Sequence, residues 1–523
     1  MNHDIDALFA RWARPDSPGC MVAVSHGGST VHARGYGMAD LELGVPITPA
    51  TIFHVASISK QITGFLVLLL AEEGRLRLDA DIRTYVPEVP SFGARITLRH
   101  LLHHTSGLRD HFTLMKLAGV RPMDEKSESD IFALLARQKA LNFRPGADFN
   151  YCNTGWVLLA CAASRATGEP FRECVEKKVF RPLGMTSSSV RDNHTTLIAG
   201  RAAAYDDGPK YYVPNFDFTG STGVQTTAAD LLRWAENIIH PHAGRSEIVR
   251  QLTTPGKLKD GRSVRYGAGV EIGTYRGLEI VKHRGWDLGY SAYLAMYPEP
   301  RLAVAILGNI STLPTATLGA RIADVALASH FPAPRPQPAG VPEHVLRAKT
   351  GLYRHVRTHR AFWIRLVDRE LRFAAEPAAA GVPLRALDAT TFQAATETAT
   401  FMLDGKTLTM REDSGVDQRY RRARPWTPDA RALAAFAGTY RSAELDERLT
   451  FTVDTGTLVG KRRRWRARSL SPAYADSFTD DIATYRFVRD RRGAVEAVVL
   501  ALDRIFHLRY EREAARKRRG RRG

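Results

Sequence analysis

Cysteine is scarce in this sequence, and that scarcity excludes a fold built on disulfides. The four cysteines, Cys20, Cys152, Cys161 and Cys174, all lie in the first third of the 523 residues. They show neither CxxC spacing nor a flanking pattern of metal ligands, so we interpret them as free thiols of a cytoplasmic protein. We expect no metal and no cofactor.

Long hydrophobic runs are also missing. The longest, around FLVLLLA, falls far short of the ~20 apolar residues that a membrane-spanning helix needs. The amino-terminal stretch MNHDIDALFARWARPDSPGC has no apolar core of the kind found in secretory signals. We therefore expect a cytoplasmic protein with no membrane partner.

Negative charge is in the minority, with 55 acidic against 74 basic residues and a formal net charge of +19. Basic residues concentrate in KRRRWRAR at 461–468 and in RKRRGRRG at 516–523. Such clusters can bind phosphate backbones without sequence preference. No recognised nucleic-acid-binding motif accompanies them, so we do not expect a nucleic-acid partner.

The first ~330 residues mix helical and strand patterns, within a chain long enough for two to four domains. GCMVAVSHGGSTVHARGYGMADL predicts two strands around a His26–Ser29 hairpin turn. Helical patterns such as SDIFALLARQKAL follow, and GLEIVKHRG and GYSAYLAMYPEPRLAVAILGN predict strands that return to the same sheet. The fold class predicted is α+β, an antiparallel sheet with helical layers.

A proline-rich stretch, HFPAPRPQPAGVPEH, marks a domain boundary, and a repeat of short strands follows it. Gly351 in GLYRH and Gly438 in GTYRS are 87 residues apart, as are Leu371 and Leu458. Two copies of a small antiparallel β-barrel fit this repeat. The predicted domains are a catalytic domain at 1–333, a linker at 334–344, barrels at 345–425 and 426–511, and a basic tail at 512–523.

The segment HVASISKQITGFLVLLL, residues 54–70, raises a chemical hypothesis. Ser57 and Lys60 are spaced i, i+3, so they share one face of a helix whose apolar run pins it in a core. The positive potential at a helix amino terminus lowers the pKa of a lysine held there. A neutral amine beside a serine hydroxyl is a base beside a nucleophile.

A Ser-x-x-Lys spacing alone is weak evidence for an active site, but two further motifs follow it along the chain in the expected order. Tyr151 and Asn153 form Tyr-x-Asn in FNYCNTGW, and VKHRGW carries His283 and Gly285 on a predicted strand. This ordered set is the plan of serine acyl-transfer enzymes that recognise penicillin.

The chain therefore resembles the superfamily of class C β-lactamases, penicillin-binding proteins and D-aminopeptidases. ITLRHLLHHTSGL, TTAADLLRW and YGAGV extend the resemblance across residues 20–310. SGLRDHF, LKDGRSVRYGAGV and GTYRSAELDERLT are most similar to D-aminopeptidases that carry two lipocalin-like C-terminal barrels.

The resemblance implies catalytic roles for several of these residues. Ser57 would attack the substrate carbonyl, and Lys60 would take its proton, alone or through Tyr151. Tyr151 would pass that proton to the leaving group, and Asn153 would bind the substrate amide. His283 occupies the place where β-lactamases usually have lysine.

The resemblance also implies how the reacting oxygen is held. The backbone N–H groups of Ser57 and Trp286 would form the oxyanion hole, because Gly285 lets the substrate lie along the strand edge. Strand alternation places His283 with Gly285 on one side and Arg284 on the other. With histidine for lysine, we expect poor β-lactam turnover.

The predicted function is a serine hydrolase of amides or esters, closest to a D-aminopeptidase or D-amino-acid amide hydrolase. A short-chain carboxylesterase or a weak β-lactamase is the alternative with the same chemistry. A binding protein whose basic barrels contact nucleic acid is the non-enzymatic alternative. The expected partners are a small-molecule or peptide substrate and, as an option, a second copy of the chain in a homodimer.

Overall fold

The structure is a computed structural model that describes residues 1–206, 210–241, 245–331, 340–377, 379–394, 399–412 and 414–514. Part of the predicted linker, 334–339, and most of the basic tail, 515–523, lie outside these residues. The predicted domain boundaries therefore stay predictions. None of the helices in the described ranges combines the length and the hydropathy needed to cross a membrane.

The chain folds into two compact units. The first contains Met1–Leu108, Arg121–Ala136 and Phe143–Pro334, and the second contains Arg109–Val120, Arg137–Asn142 and Arg335–Gly523. The helices are α1 Asn2–Phe9, α2 Ser59–Glu72, α3 Leu98–Leu102, α4 His111–Leu117, α5 Glu128–Arg137, α6 Asn153–Thr167, α7 Phe171–Val175, α8 Ala228–Ile239, α9 Ser246–Leu252, α10 Thr315–Ala326, α11 Glu343–Lys349 and α12 Ala430–Phe436.

A six-stranded antiparallel sheet forms the centre of the first unit, as predicted. In chain order its strands are β1 Cys20–His26, β2 Ser29–Tyr36, β3 Glu271–Tyr275, β4 Leu278–Asp287, β5 Tyr290–Tyr297 and β6 Leu302–Gly308. Their spatial order is β3-β4-β5-β6-β1-β2, so amino-terminal strands pair with late ones. Gly27 and Gly28 make the predicted hairpin turn, and both have positive φ, which glycine adopts without a steric penalty.

Helices cover this sheet because its central strands are apolar on both sides. All residues of β5 and β6 are buried. On one face, apolar side chains of α1 and α10, among them Phe9 and Ile322, form a core with Val22 and Ile306. Helix α8 also packs against β1, β5 and β6.

Short strands of two or three residues complete the first unit: Met38–Asp40, Val45–Pro46, Phe53–His54, Lys126–Ser127, Ser189–Val190, Ala204–Tyr205, Tyr211–Tyr212, Phe216–Asp217, Val224–Thr226, Gly256–Lys257 and Ser263–Val264.

Two closed eight-stranded barrels form the second unit, which confirms the predicted fold class. The first barrel contains Gly351–His355, Ala361–Val367, Glu370–Ala374, Val382–Ala386, Thr391–Ala394, Ala399–Leu403, Thr407–Glu412 and Asp417–Ala423. The second contains Gly438–Ser442, Glu447–Asp454, Thr457–Arg462, Arg468–Pro472, Ser477–Thr479, Thr484–Arg489, Val495–Ala501 and Leu508–Arg512.

Two stretches that precede the barrels in sequence, 109–120 and 137–142, belong to this second unit. Within it, the Asn142 side chain accepts a hydrogen bond from the Phe506 amide at 2.8 Å and donates one to the Arg504 carbonyl at 3.1 Å. No pattern in the sequence indicates that these two stretches belong to the second unit. Their placement depends on contacts between residues more than 350 positions apart.

Candidate active site

Ser57 lies in a single 3-10 turn, Ala56–Ile58, that leads directly into α2. The residue before it, Ala56, has a φ of 45°, in the left-handed region that favours glycine. Strain of this kind is held in place by surrounding structure and concentrates at functional sites. The serine is partly exposed, whereas Lys60, one turn later, is fully buried.

Lys60 connects three parts of the first unit. Its Nζ lies 3.0 Å from Ser57 Oγ, 2.8 Å from Asn153 Oδ1 and 2.8 Å from the Ser221 carbonyl oxygen. A neutral amine has two N–H bonds and one lone pair. The oxygens of Asn153 and Ser221 can accept the two N–H bonds, and the lone pair can then accept the Ser57 hydroxyl hydrogen.

Tyr151 lies against this lysine, at the entry to α6, which begins at Asn153. Lys60 Nζ is 4.9 Å from the centroid of the Tyr151 ring. The ring also stacks on His104, with centroids 4.2 Å apart. His104 Nδ1 accepts a hydrogen bond from the Cys152 amide at 2.9 Å, so the same imidazole fixes both the ring and the backbone that follows it.

Strand β4 supplies the triplet predicted from VKHRGW, and its burial alternates as expected. His283 and Gly285 are buried, whereas Arg284 is exposed and Trp286 is 65% exposed. Strand β3 pairs with β4 only as far as Lys282. Among the described residues no strand pairs with this edge of β4 beyond Lys282, so an extended substrate can lie along it.

His283 is held neutral by its surroundings. Its Nδ1–H donates to the Arg284 carbonyl at 2.6 Å, so its Nε2 accepts a hydrogen bond from the Tyr266 hydroxyl at 2.9 Å. The side chain is buried, and this burial lowers the pKa of His283 to about 3. It therefore carries no positive charge at neutral pH.

Removing the Tyr266 hydroxyl tests this arrangement. Tyr266→Phe leaves the buried Nε2 of His283 without its donor, which costs about 1–3 kcal/mol in the free energy of unfolding. Because His283 lies beside the nucleophile helix, we also expect kcat/KM to fall by about 10-fold. Urea unfolding and steady-state kinetics measure the two effects.

Tyr353→Phe is the matched control for this change. Tyr353 is also fully buried, and its hydroxyl donates to the Lys349 carbonyl at 2.8 Å in the first barrel. We expect it to lose a similar stability with no change in kcat/KM. An unchanged rate in Tyr266→Phe would show that the hydroxyl has no part in ordering the site.

Glycine is required at position 285 because the backbone of β4 lies very close to the segment that carries Ser57. A Cβ at this position would lie 2.2 Å from the Val55 carbonyl oxygen, two residues before Ser57. Gly285→Ala must therefore displace either β4 or the segment that carries the nucleophile. We expect kcat/KM to fall by about 10²-fold, the effect of losing one oxyanion-hole donor.

Gly273→Ala is the control for this prediction. Gly273 lies on β3 of the same sheet, and an added Cβ there would meet only Ile280 Cγ2, at 3.9 Å. We expect its kinetics to match those of the wild type. Full activity in Gly285→Ala would contradict the close contact between β4 and the nucleophile segment.

One group of described residues has the geometry to hold a metal ion, and no motif in the sequence indicates it. The ligand atoms of Glu125, His194 and Asp217 lie within 4.8 Å of one another. His194 Nδ1 is already hydrogen-bonded to Asp217 at 2.9 Å, and Glu125 is exposed. The expectation of a metal-free enzyme stays a prediction.

The structure brings together most of the residues predicted for the site. Ser57, Lys60 and Asn153 are linked by direct contacts, and Tyr151 packs against Lys60. Gly285 approaches the segment that carries Ser57 through the Val55 carbonyl.

Sequence reasoning missed three neighbours of the predicted residues: Tyr266, His104 and Ser221. The stretches that contain Tyr266 and His104, YGAGV and HHTSG, contribute to the family resemblance but assign neither residue a place at the site. No signal in the sequence indicated that the Ser221 carbonyl contacts Lys60.

Known proteins are similar to this chain in sequence and in structure. A family model described as Beta-lactamase matches residues 5–328. A D-aminopeptidase of Gluconobacter oxydans (strain 621H) is 28% identical over 477 residues, covering 87% of this chain and 85% of that protein.

Two solved structures share the fold. The octameric penicillin-binding protein homologue from Pyrococcus abyssi has a TM-score of 0.56 at 23% identity, covering 80% of this chain and 99% of its own. A D-amino acid amidase from Ochrobactrum anthropi SV3 has a TM-score of 0.53 at 19% identity, covering 63% of this chain and 100% of its own.

Proposed function

This chain belongs to the beta-lactamase family, and we propose that it hydrolyses D-aminoacyl amides and short peptides with an amino-terminal D-residue. The class predicted from the motifs, a serine hydrolase, is confirmed by that family membership. The D-aminoacyl substrate is the proposal. Its support is the likeness to the Gluconobacter oxydans D-aminopeptidase, which extends over most of both chains.

One observation carries the chemistry: the buried amine of Lys60 lies 3.0 Å from the hydroxyl of Ser57. In the proposed mechanism the lysine takes the serine proton while Oγ attacks the substrate carbonyl. The negative charge that develops on the carbonyl oxygen is held by the N–H groups of Ser57 and Trp286. Lys60 and Tyr151 then return the proton to the leaving amine, which departs and leaves an acyl-enzyme.

Hydrolysis of the acyl-enzyme uses the same groups in reverse. A water molecule attacks the ester carbonyl, and its proton passes to Tyr151 or Lys60. The tetrahedral intermediate collapses, Ser57 Oγ regains a hydrogen, and the D-amino acid leaves. Asn153 has two proposed tasks, since its side-chain oxygen orients Lys60 while its amide can bind the substrate.

The environment of His283 favours amides over β-lactams. A lysine at this position would offer a β-lactam carboxylate a positive charge, whereas His283 is buried and its two ring nitrogens are both hydrogen-bonded. We therefore propose poor turnover of β-lactams, and we rank a weak β-lactamase below the D-aminoacyl amide hydrolase.

A substrate panel tests the proposed function. The p-nitroanilides of D-alanine and L-alanine, p-nitrophenyl acetate and a penicillin are compared by kcat/KM. We expect the D-alanine anilide to be the best amide substrate and the penicillin to be hydrolysed poorly. Fast turnover of the acetate ester with no turnover of either anilide would instead identify a carboxylesterase.

Other partners and the location of the protein stay predictions. These are a homodimer, the absence of a nucleic-acid partner and a cytoplasmic location. The octameric assembly is a property of the Pyrococcus abyssi homologue.

A further inference from the structure

Asp287 is a carboxylate next to the proposed oxyanion hole, and no step of the mechanism uses it. It is the last residue of β4 and follows Trp286, whose N–H we assign to the hole. Strand alternation places it on the same side of β4 as His283 and Gly285. Its side chain is 15% exposed, so part of the carboxylate reaches solvent.

The contacts of Asp287 leave part of the carboxylate unoccupied. Its Oδ1 accepts the Leu288 amide at 2.9 Å, and its Oδ2 lies 3.3 Å from His54 Nε2. A carboxylate has about four lone-pair sites, and these contacts fill two. Among the described residues no lysine or arginine forms an ion pair with it.

His54 orients this carboxylate through a hydrogen bond. The Gln225 side-chain amide donates to His54 Nδ1 at 3.0 Å, so the ring hydrogen is on Nε2, where it points to Asp287 and to Thr222 Oγ1 at 3.1 Å. His54 lies three residues before Ser57. The segment that carries the nucleophile therefore fixes the orientation of the carboxylate.

Two nearby cations act on Asp287 only at a distance, because backbone carbonyls hold both. Lys126 Nζ donates to the carbonyls of Pro122 and Asp124 at 2.6 and 2.7 Å. The Arg191 guanidinium donates to several backbone carbonyls, among them Pro214 at 3.0 Å. Both cations are therefore engaged by carbonyl oxygens, and neither occupies the open sites of the Asp287 carboxylate.

We propose that Asp287 binds the α-ammonium group of the substrate and so restricts the enzyme to acyl groups with a free amine. This inference rests on the proposed function and specifies it. When the scissile carbonyl oxygen lies at the Trp286 N–H, the ammonium group is two bonds from the carbonyl carbon, and the proposal directs it toward the adjacent Asp287. An ammonium group donates three hydrogen bonds, which suits the open sites of a fixed carboxylate.

The test compares substrates that differ only in the amine. Wild type, Asp287→Asn and Asp324→Asn are assayed with D-alanine p-nitroanilide, N-acetyl-D-alanine p-nitroanilide and p-nitrophenyl acetate. Asp324 is the matched control, a carboxylate of the same unit that pairs with Arg276 at 2.8 Å. It loses the same formal charge outside the site.

We expect Asp287→Asn to lower kcat/KM for the free-amine anilide by about 10- to 100-fold, mainly through KM, as the loss of a charged hydrogen bond predicts. Hydrolysis of p-nitrophenyl acetate should stay within about 3-fold of the wild type. Asp324→Asn should match the wild type on all three substrates. Asp287→Ser is the second variant if Asp287→Asn does not fold.

Two outcomes separate this inference from the proposed function. Asp287 variants that keep the full preference for the free amine would overturn the role of Asp287 and leave the proposed function intact. A wild type that hydrolyses the acetate but neither anilide would overturn the proposed function. In that case calorimetric binding of D-alanine amide to wild type and to Asp287→Asn still tests the site, and equal affinities would overturn it.

Discussion

Ser57→Ala should remove hydrolysis almost completely, with kcat for the best amide substrate lower by at least about 10⁴-fold. The serine hydroxyl is the group placed against the buried Lys60 amine, at 3.0 Å, and without it no acyl-enzyme can form. The remaining rate would come from substrate binding and oxyanion stabilisation alone. Steady-state kinetics and intact mass spectrometry after treatment with a reactive acyl probe measure the loss.

Ser59→Ala is the control for the nucleophile. Ser59 begins α2 two residues later, is buried, and accepts the Val224 amide at 3.1 Å through its hydroxyl. Its loss costs a hydrogen bond but leaves the nucleophile in place, so we expect covalent labelling to persist. Labelling of Ser57→Ala at the wild-type level, or retained turnover, would exclude Ser57 as the nucleophile.

The two barrels could be predicted from the sequence because they repeat the same local interactions. Tyr353 and Tyr440, 87 residues apart, each donate to the carbonyl four residues earlier, in Lys349 and Phe436. The glycines two residues before each tyrosine have nearly equal φ angles, 144° and 142°. These contacts are close in sequence, so each copy preserves a readable pattern.

The chemical centre of the site was predictable for a similar reason, but its surroundings were not. Ser57 and Lys60 lie one helical turn apart, and ordered motifs indicated Asn153. Contacts such as that of Lys60 with Ser221, or of His54 with Asp287, join residues more than 150 positions apart. No local pattern records them, since they depend on how segments distant in sequence pack against each other in the folded unit.

The charge state of His283 also depends on contacts that the sequence does not reveal. Alternation along β4 predicted which side of the strand the residue occupies. The Tyr266 hydroxyl and the Arg284 carbonyl, which fix the tautomer, became visible only in the fold. The pKa of His283, lowered to about 3, follows from the burial of its side chain.

Lys60→Met should lower kcat by about 10²–10⁴-fold, the range expected for losing a general base. Methionine keeps much of the apolar length of the side chain in this fully buried position but offers no basic lone pair. The hydroxyl of Ser57 then keeps its proton, although the nucleophile itself remains. We therefore expect slow residual acylation by a reactive ester that is absent in Ser57→Ala, measured by stopped-flow kinetics.

Lys349→Met separates the loss of the base from the loss of a buried lysine. Lys349 is also buried, and its Nζ donates to the Leu403 carbonyl at 2.7 Å. This control should lose stability in urea unfolding but retain kcat. A Lys60→Met enzyme with wild-type kcat would contradict the lysine-base mechanism, because the amine next to Ser57 would then contribute nothing to proton transfer. Slowed acylation in Lys60→Met with kcat preserved in Lys349→Met would assign the proton transfer to the Lys60 amine.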